Sequence, residues 1–352
     1  MAEKKNAPHD LQQTNGQFQF RGIVSGTAKD SFYKEITTKS NKPMRMVNFG
    51  VEFDKDKRVY VGLNGMERDN VYFSKRVEKD GKTTTEMKTI PWKDRFNFNE
   101  EGYSLLGINL GLEKEVDDKG KEVNKKEKLT EFDACNSIGT NLEDGQSIFT
   151  KGKIEYSTYK EKHQSKFVPQ QISLCSSDID FEDEKFEPIN KFSQQIVFMG
   201  VAPDKDNKDR FIISAKIIGY SSIEDFEFVT YNKSMAKKLK SVLKPYNAIT
   251  LYGTVEAVTS VEETVVEDDG WGNASAKTSM EYVSNPFSLE FKVDYADPDS
   301  IDTELYTEES VEGAIAKLNA KNKAQSEFSG KDSDDDWGSI DSKSDNSEDD
   351  EW

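Results

Sequence analysis

The sequence predicts an all-β protein with short helices, organised as two tandem five-stranded barrels followed by a short helix and a disordered acidic tail. Three observations predict this class. Short runs of alternating apolar and polar residues, bounded by turn residues, begin at Gly16 and continue through most of the chain. The same order of elements occurs twice, which indicates an internal repeat. Apolar residues make up only 34% of the chain but include 21 Phe and 13 Tyr, which favours a β-rich aromatic core.

The first repeat begins with three predicted strands. A hairpin over 70–90, turning at Asp80–Gly81, and a long charged insertion separate the third strand from a helix over 130–142. Thr130 is placed to cap that helix. The five predicted strands are 17–26, 44–53, 58–64, 147–159 and 166–176.

The second repeat has the same order of three strands, one helix and two strands. Its predicted strands are 192–203, 210–220, 224–232, 248–260 and 279–293, with a helix over 233–246. This is the order of the OB-fold, a small Greek-key barrel that binds oligonucleotides or oligosaccharides. The predicted divisions are a disordered arm (1–15), a first OB-fold domain (16–182) with an insertion at about 70–129, a linker (183–190), a second OB-fold domain (191–300), a helix (301–327) and a disordered acidic tail (328–352).

Charge is distributed unevenly along the chain, whose formal net charge is −18. Residues 21–95 contain 17 basic and 11 acidic side chains, whereas residues 183–330 contain 16 basic and 26 acidic ones. Such asymmetry points to a nucleic-acid partner for the basic part. The first barrel is therefore expected to supply most of the affinity, and isolated residues 1–190 are expected to bind nearly as tightly as the tailless chain.

Binding of single strands requires cations for the phosphates and aromatic rings on which bases stack. On the third strand Arg58, Tyr60 and Asn64 alternate with apolar residues, so they share an outer face. For each single residue the competing interpretation is that the ring fills the core or the charge is solvated. The predicted single-strand-binding residues are Gln19, Arg21, Phe32, Tyr33, Lys34, Arg45, Arg58, Tyr60, Asn64, Trp92, Lys93, Arg95, Phe96, Phe149, Lys151 and Lys153.

The second barrel offers fewer candidates. Its outward positions include Glu227 and Glu256, and an acidic segment, 261–277, joins its last two strands. Lys216 and Tyr252 are its attractive positions. The second barrel is therefore expected either to bind DNA weakly or to act as a protein-interaction or spacing module.

The tail carries ten acidic residues and two lysines over 331–352, and its sequence finishes in "EDDEW". An exposed indole adds nothing to solubility, which argues against a simple solubilising segment. The combination of two barrels and this tail resembles the architecture of the single-stranded DNA-binding proteins of bacteria and their phages. The resemblance lies in the architecture and the tail, not in a sequence motif within the barrels. The bacterial tip ends in proline and phenylalanine, which are absent here, so the tip resembles the phage variants more closely.

The resemblance implies a protein that coats and protects single-stranded DNA in replication, recombination and repair, and that recruits proteins of those pathways through its acidic tip. Tandem barrels depart from the bacterial homotetramer, so a monomer or dimer is expected rather than a tetramer. RNA binding stays open. The residues expected to bind partners are Trp337, Glu348, Asp349, Asp350, Glu351 and Trp352.

The sequence contains few of the residue combinations that are typical of enzyme active sites or metal sites. Only His9 and His163 are present, and the two cysteines lack paired spacing. No enzyme activity, metal or cofactor is therefore expected. No apolar run has membrane-spanning length, and a cytoplasmic location is expected, within a bacterial host if the protein is of phage origin. The alternative function is an acidic OB-fold scaffold that inhibits a host enzyme or mimics DNA, which would not bind oligo(dT) at all.

Overall fold

The computed structural model describes residues 7–55, 57–79, 81–159, 162–259 and 287–328. The predictions for the acidic tail and for segment 261–277 fall outside these ranges and stay predictions. The strands among the described residues are β1 (Gly16–Ser25), β2 (Tyr33–Thr37), β3 (Pro43–Asp54), β4 (Lys57–Met66), β5 (Asn70–Lys79), β6 (Lys82–Pro91), β7 (Ser104–Leu105), β8 (Ile108–Gly111), β9 (Lys114–Val116), β10 (Glu122–Asn124), β11 (Glu127–Leu129), β12 (Ser147–Tyr159), β13 (Lys162–Leu174), β14 (Ile189–Pro203), β15 (Phe211–Ile218), β16 (Ile223–Thr230), β17 (Ala248–Thr259) and β18 (Phe287–Asp302). The α-helices among the described residues are α1 (Glu131–Asn141), α2 (Lys233–Val242) and α3 (Glu308–Phe328), and Trp92–Asp94 forms a short 3-10 helix.

The first barrel closes in the order β1–β3–β4–β13–β12–β1. Its strands pair antiparallel except β4 and β13, which run parallel with Phe167 opposite Val61. Helix α1 lies between β4 and β12 in the chain and begins where the sequence predicts. The Thr130 hydroxyl accepts a hydrogen bond from the backbone N–H of Asp133 at 3.2 Å, which caps the helix.

The second barrel repeats this topology in the order β14–β15–β16–β18–β17–β14. Strands β16 and β18 form its parallel pair, with Val229 opposite Lys292. Helix α2 again follows the third strand, and the Asn232 side chain caps it by accepting from the backbone N–H of Met235 at 3.0 Å. The predicted all-β fold with two OB-type barrels is confirmed.

The two barrels are joined by their first strands. Residues 16–21 of β1 pair antiparallel with residues 189–194 of β14, so one sheet runs from the first barrel into the second. Their cores also meet, because the ring centroids of Phe167 and Phe291 lie 6.1 Å apart and those of Tyr156 and Phe226 lie 4.7 Å apart. The segment 183–190 was expected to be a linker, but its last two residues belong to this sheet.

Residues 7–15 are packed against the second barrel, so the prediction of a disordered arm is wrong for them. The backbone N–H of Thr14 donates to the carbonyl of Ile218 at 2.9 Å, and His9 is buried. Leu11 packs in a small cluster with Tyr306 and Val311 at the start of α3. The polar sequence of the arm gives no sign of this contact, because Tyr306 and Val311 lie about 300 positions further along the chain than Leu11.

The charged insertion is folded rather than irregular. Strands β5 and β6 form the predicted hairpin, and short strands β7–β11 follow it. The insertion has its own apolar cluster with Val71, Phe73 and Trp92, which also contacts Phe132 of α1. This cluster fixes the insertion on the helix side of the first barrel.

None of the described helices has the length and apolar character needed to cross a membrane.

Candidate nucleic-acid interface

The outer surface of β3, β4 and β13 carries an exposed aromatic ring among polar side chains. Arg58, Tyr60 and Asn64 face outward from β4, as the alternation predicts, and Tyr60 is 52% exposed. Asn48 faces outward from β3, and Lys166 from β13. These five residues are called the first-barrel face below.

Two glycines form the floor of the first-barrel face. Gly50 lies directly opposite Tyr60, and Gly62 lies opposite Asn48. A Cβ at Gly50 would come within 2.6 Å of the Ser25 hydroxyl and 2.7 Å of Cδ of Arg58, and a Cβ at Gly62 would touch Cε of Lys166 at 3.4 Å. Parts of the Arg58 and Lys166 side chains therefore lie over the two glycines, on the face from which Tyr60 projects. Glycine within a strand often marks such a close approach by a ligand or a neighbour.

The cations of this face are partly engaged. Arg58 forms an ion pair with Glu52, directly across the ladder. Burial lowers the pKa of Lys166 from its ordinary value, although part of the side chain stays exposed. With the Asn64 amide oriented to satisfy both neighbours, its oxygen accepts from Nζ of Lys166 at 3.1 Å and its nitrogen donates to the Leu63 carbonyl at 3.0 Å. Lys166 is thus held beside Tyr60 as a positioned cation.

The candidates on β1 and β12 face outward, as predicted. Gln19, Lys151 and Lys153 are exposed, and among the described residues Lys151 has no ion pair while Lys153 pairs with Glu155 at 2.5 Å. Arg21 is half-buried and donates to the Glu187 carbonyl at 2.5 Å. Phe149, directly opposite Arg21 in the ladder, is half-buried.

Two predicted stacking residues are buried, so the prediction is wrong for both. Phe32 is 6% exposed in the first barrel's core, and Trp92 is 8% exposed in the insertion cluster. Neither ring is accessible to a base. Both belong to short basic–aromatic stretches, where the sequence does not say which rings turn inward.

Two predicted arginines hold the fold together. The Arg45 guanidinium lies 3.9 Å from the centre of the Phe132 ring and donates to Glu35 at 2.8 Å. Arg95 donates to both carboxylate oxygens of Asp133, at 2.7 and 2.9 Å, and this pair is largely buried. Both cations already have carboxylate partners, so neither is a free phosphate contact.

The remaining candidates lie on β2 and on the insertion. Tyr33 and Lys34 are half-buried, and the Tyr33 hydroxyl donates to Glu35 at 3.2 Å. Lys93 is exposed, and Phe96 is 64% exposed with its ring 4.2 Å from the Arg95 guanidinium. On the second barrel, Lys216 is tied to Asp225 at 2.9 Å, whereas Tyr252 is 41% exposed.

Sequence reasoning missed Asn48 and Lys166. Their outward position follows from the alternation of β3 and β13, but their place beside Tyr60 depends on which strands pair. Among the described residues, no group of three or more His, Cys, Asp or Glu side chains is arranged to hold a metal ion. The arrangement offers stacking, hydrogen bonding and charge, which are the means of binding a nucleic-acid strand.

Two closed OB barrels joined through their first strands define this chain as a tandem OB-fold protein. The chain belongs to the YorF family, whose model matches residues 79–331. No curated protein sequence matches it.

Among solved structures, the chain is similar to the wild-type single-stranded DNA binding protein from Thermus aquaticus, with 9% identity and a TM-score of 0.36 over 81% of this chain and 93% of that one. A deletion mutant of the same Thermus aquaticus protein gives 8% identity and a TM-score of 0.37 over 81% and 94% of the two chains. The strand order of the two barrels, rather than these scores, defines the fold.

Proposed function

We propose that this protein binds single-stranded DNA and that the first-barrel face is its primary contact. The observation that carries the proposal is the Tyr60 ring, 52% exposed above a glycine floor and bordered by Arg58 and Lys166. A base can stack on such a ring whatever its identity, and Lys166, which forms no ion pair among the described residues, suits a neighbouring phosphate. The exposed amides of Asn48 and Asn64 add hydrogen-bonding groups without selecting one base.

The wider role is also a proposal. A strand-coating protein of replication, recombination or repair needs a means of recruiting other proteins, and the acidic tail with Trp337 and Trp352 suits that need. Charge would steer the encounter with a basic partner, and a buried aromatic anchor would supply most of the hold. The support is the composition of residues 331–352, ten acidic against two basic, together with their two tryptophans.

Titration of labelled oligo(dT) over a series of salt concentrations tests the primary contact. Affinity is expected to fall with rising salt, with a slope of about −0.7 per phosphate contacted. Tyr60→Ala is expected to weaken binding about 5- to 150-fold, which corresponds to the loss of one stacked base. Lys166→Met is expected to reduce the slope by about 0.7.

Tyr220→Ala is the matched control, because Tyr220 is 48% exposed on the second barrel and has no hydrogen bond within the described part of the chain. Its affinity should equal that of the wild type. If Tyr60→Ala behaves like Tyr220→Ala, the first-barrel face is not the contact. If the wild type binds no oligo(dT) at low salt, the net charge of −18 favours the alternative, an acidic scaffold that binds proteins.

A further inference from the structure

The sheet that joins the barrels presents a second patterned surface, made by the outward residues of β12, β1, β14, β17 and β18. Direct cross-strand pairing places these residues in two parallel rows. The tyrosine row consists of Lys153, Gln17, Ser193, Tyr252 and Tyr295. The lysine row consists of Lys151, Gln19, Lys191, Thr254 and Lys292.

The tyrosine row ends in two exposed rings. Tyr252 and Tyr295 are 41% and 52% exposed, with ring centroids 6.0 Å apart and ring planes 40° apart. Neither hydroxyl has a hydrogen-bond partner among the described residues. The rings border a groove of about 340 Å³, which continues over Gln17 and Ser193 onto the first barrel.

The lysine row lies two residues from the tyrosine row on β12, β1, β14 and β17, and three residues from it on β18, where the register shifts by one residue. Its lysines stand at alternate strands, so that Gln19 separates Lys151 from Lys191 and Thr254 separates Lys191 from Lys292. Adjacent strands lie about 4.8 Å apart, so the row spans about 19 Å with lysines spaced about 10 Å apart. Within the described ranges none of the three forms an ion pair.

The lysine row carries three cations without an ion pair among the described residues, and the parallel tyrosine row ends in two exposed rings. This arrangement suits the two components of a single strand, whose phosphates and bases run side by side. Asp294, beside Tyr295 in the same groove, is the one carboxylate among the residues that line the groove. We infer that the joint sheet is a second contact surface for single-stranded DNA, on which phosphates follow the lysine row and bases stack on Tyr252 and Tyr295.

This inference rests on the proposed function and extends it to a bound strand that crosses both barrels. The first-barrel face and the joint sheet are connected on the outside of the first barrel. Lys166 of the first-barrel face lies directly opposite Glu155 in the pairing of β13 with β12. Glu155 is two residues from Lys153, which belongs to the tyrosine row. A strand bound to both surfaces would therefore remain on the outside of the first barrel throughout. It would also be longer than a strand that occupies the first-barrel face alone.

Photocrosslinking tests the inference with the full chain. An oligo(dT) of about 30 nucleotides with scattered 5-iodouracil substitutions is bound and irradiated, and crosslinked peptides are identified by mass spectrometry. Crosslinks at Tyr252 or Tyr295, in addition to Tyr60, are expected. The double variant Tyr252→Ala with Tyr295→Ala is expected to lose at least about tenfold in affinity for this oligonucleotide, since two stacking platforms are removed. Asp294→Asn is expected to tighten binding, most strongly at low salt, because it removes a negative charge beside the bound strand.

The controls separate this inference from the proposed function. Tyr252→Phe with Tyr295→Phe keeps both rings and should bind like the wild type, which distinguishes stacking from a fold defect. Crosslinks at Tyr60 alone, with unchanged affinity of the double Ala variant, would overturn the inference and leave the proposed function standing. The inference would also be overturned if the double alanine variant changed the molar mass measured by light scattering but kept its affinity for the oligonucleotide. That result would show that this face joins two copies of the chain. Absence of any oligo(dT) binding would overturn both.

Discussion

Phe291 lies where the cores of the two barrels meet, and its removal is expected to destabilise both. The side chain is 1% exposed, with ring centroids of Phe192, Phe226 and Phe228 at 5.1–5.8 Å and those of Phe167 and Tyr156 at 6.1 Å. The last two belong to the first barrel. A buried Phe→Ala change costs about 3–5 kcal/mol, depending on how far the site can collapse. Five rigid rings held by several strands cannot close the cavity, so we expect about 4–5 kcal/mol for Phe291→Ala.

Guanidinium unfolding followed at Trp92 provides the assay. Trp92 lies in the insertion of the first barrel, and replacing Trp271, Trp337 and Trp352 with Phe leaves it as the sole indole. Phe291→Ala, although in the second barrel, is expected to move the Trp92 transition to lower denaturant together with the circular dichroism signal. Phe291→Leu should show the same coupling at a cost of about 1–2 kcal/mol if the Ala variant folds poorly.

Tyr220→Ala is the control for this experiment, because Tyr220 is 48% exposed with no hydrogen bond or ring contact among the described residues, and its loss should change stability by less than about 0.5 kcal/mol. The coupling is refuted if Phe291→Ala shifts part of the dichroism signal while the Trp92 transition stays in place. That result would mean that the barrels unfold independently, despite their shared strand pairing.

Three further predictions concern the thiols and the tail. Burial raises the pKa of the Cys135 thiol to about 12, and the side chain is 0% exposed. At pH 8 this thiol should therefore stay protonated and unreactive toward a thiol reagent until the protein unfolds. The half-buried Cys175 should react slowly in the folded state. Equal rates for the two cysteines in native protein would contradict the closed first barrel. Deletion of residues 331–352 should tighten oligo(dT) binding at low salt, because a tethered segment with ten acidic and two basic residues competes with phosphates for the same cations. Trp352→Ala should leave DNA affinity unchanged and reduce capture of replication or recombination proteins, and unchanged capture would assign the tail a solubilising role only.

The parts of the fold that local pattern determines could be predicted from the sequence. Alternation places Phe18 and Phe20 inside and Gln19 outside because neighbouring side chains on a strand face opposite ways. Thr130 caps α1 because a hydroxyl at that position can accept from a free N–H three residues later. The order of three strands, one helix and two strands occurs twice, and this repetition was enough to predict two OB barrels.

The candidate site was harder to predict because the same residue types build cores and binding surfaces. Arg95 lies 4.3 Å from the Trp92 ring and 4.2 Å from the Phe96 ring, so a basic–aromatic stretch here makes cation–π contacts within the protein. Nothing in the local pattern separates this arrangement from the exposed Tyr60. The difference arises from tertiary contacts, since Phe132 of α1 covers Trp92 whereas Gly50 lies opposite Tyr60.

The pairing of β1 with β14 changes what the charge distribution means. Residues 183–330 carry 16 basic and 26 acidic side chains, which led to the expectation of a weak or indifferent second barrel. The sheet nevertheless places Lys191 beside Gln19, in the same row as Lys151 of the first barrel.

The shared sheet also makes comparison of isolated fragments a poor measure of each barrel's role. A fragment ending at residue 190 would lose the strand that pairs with residues 16–19 and the ring of Phe291 that packs on Phe167. Weak binding by that fragment would reflect lost structure as much as a lost contact. Single substitutions at Tyr60 and at the two tyrosines of the joint sheet keep both barrels, so their separate effects on affinity measure what each surface contributes.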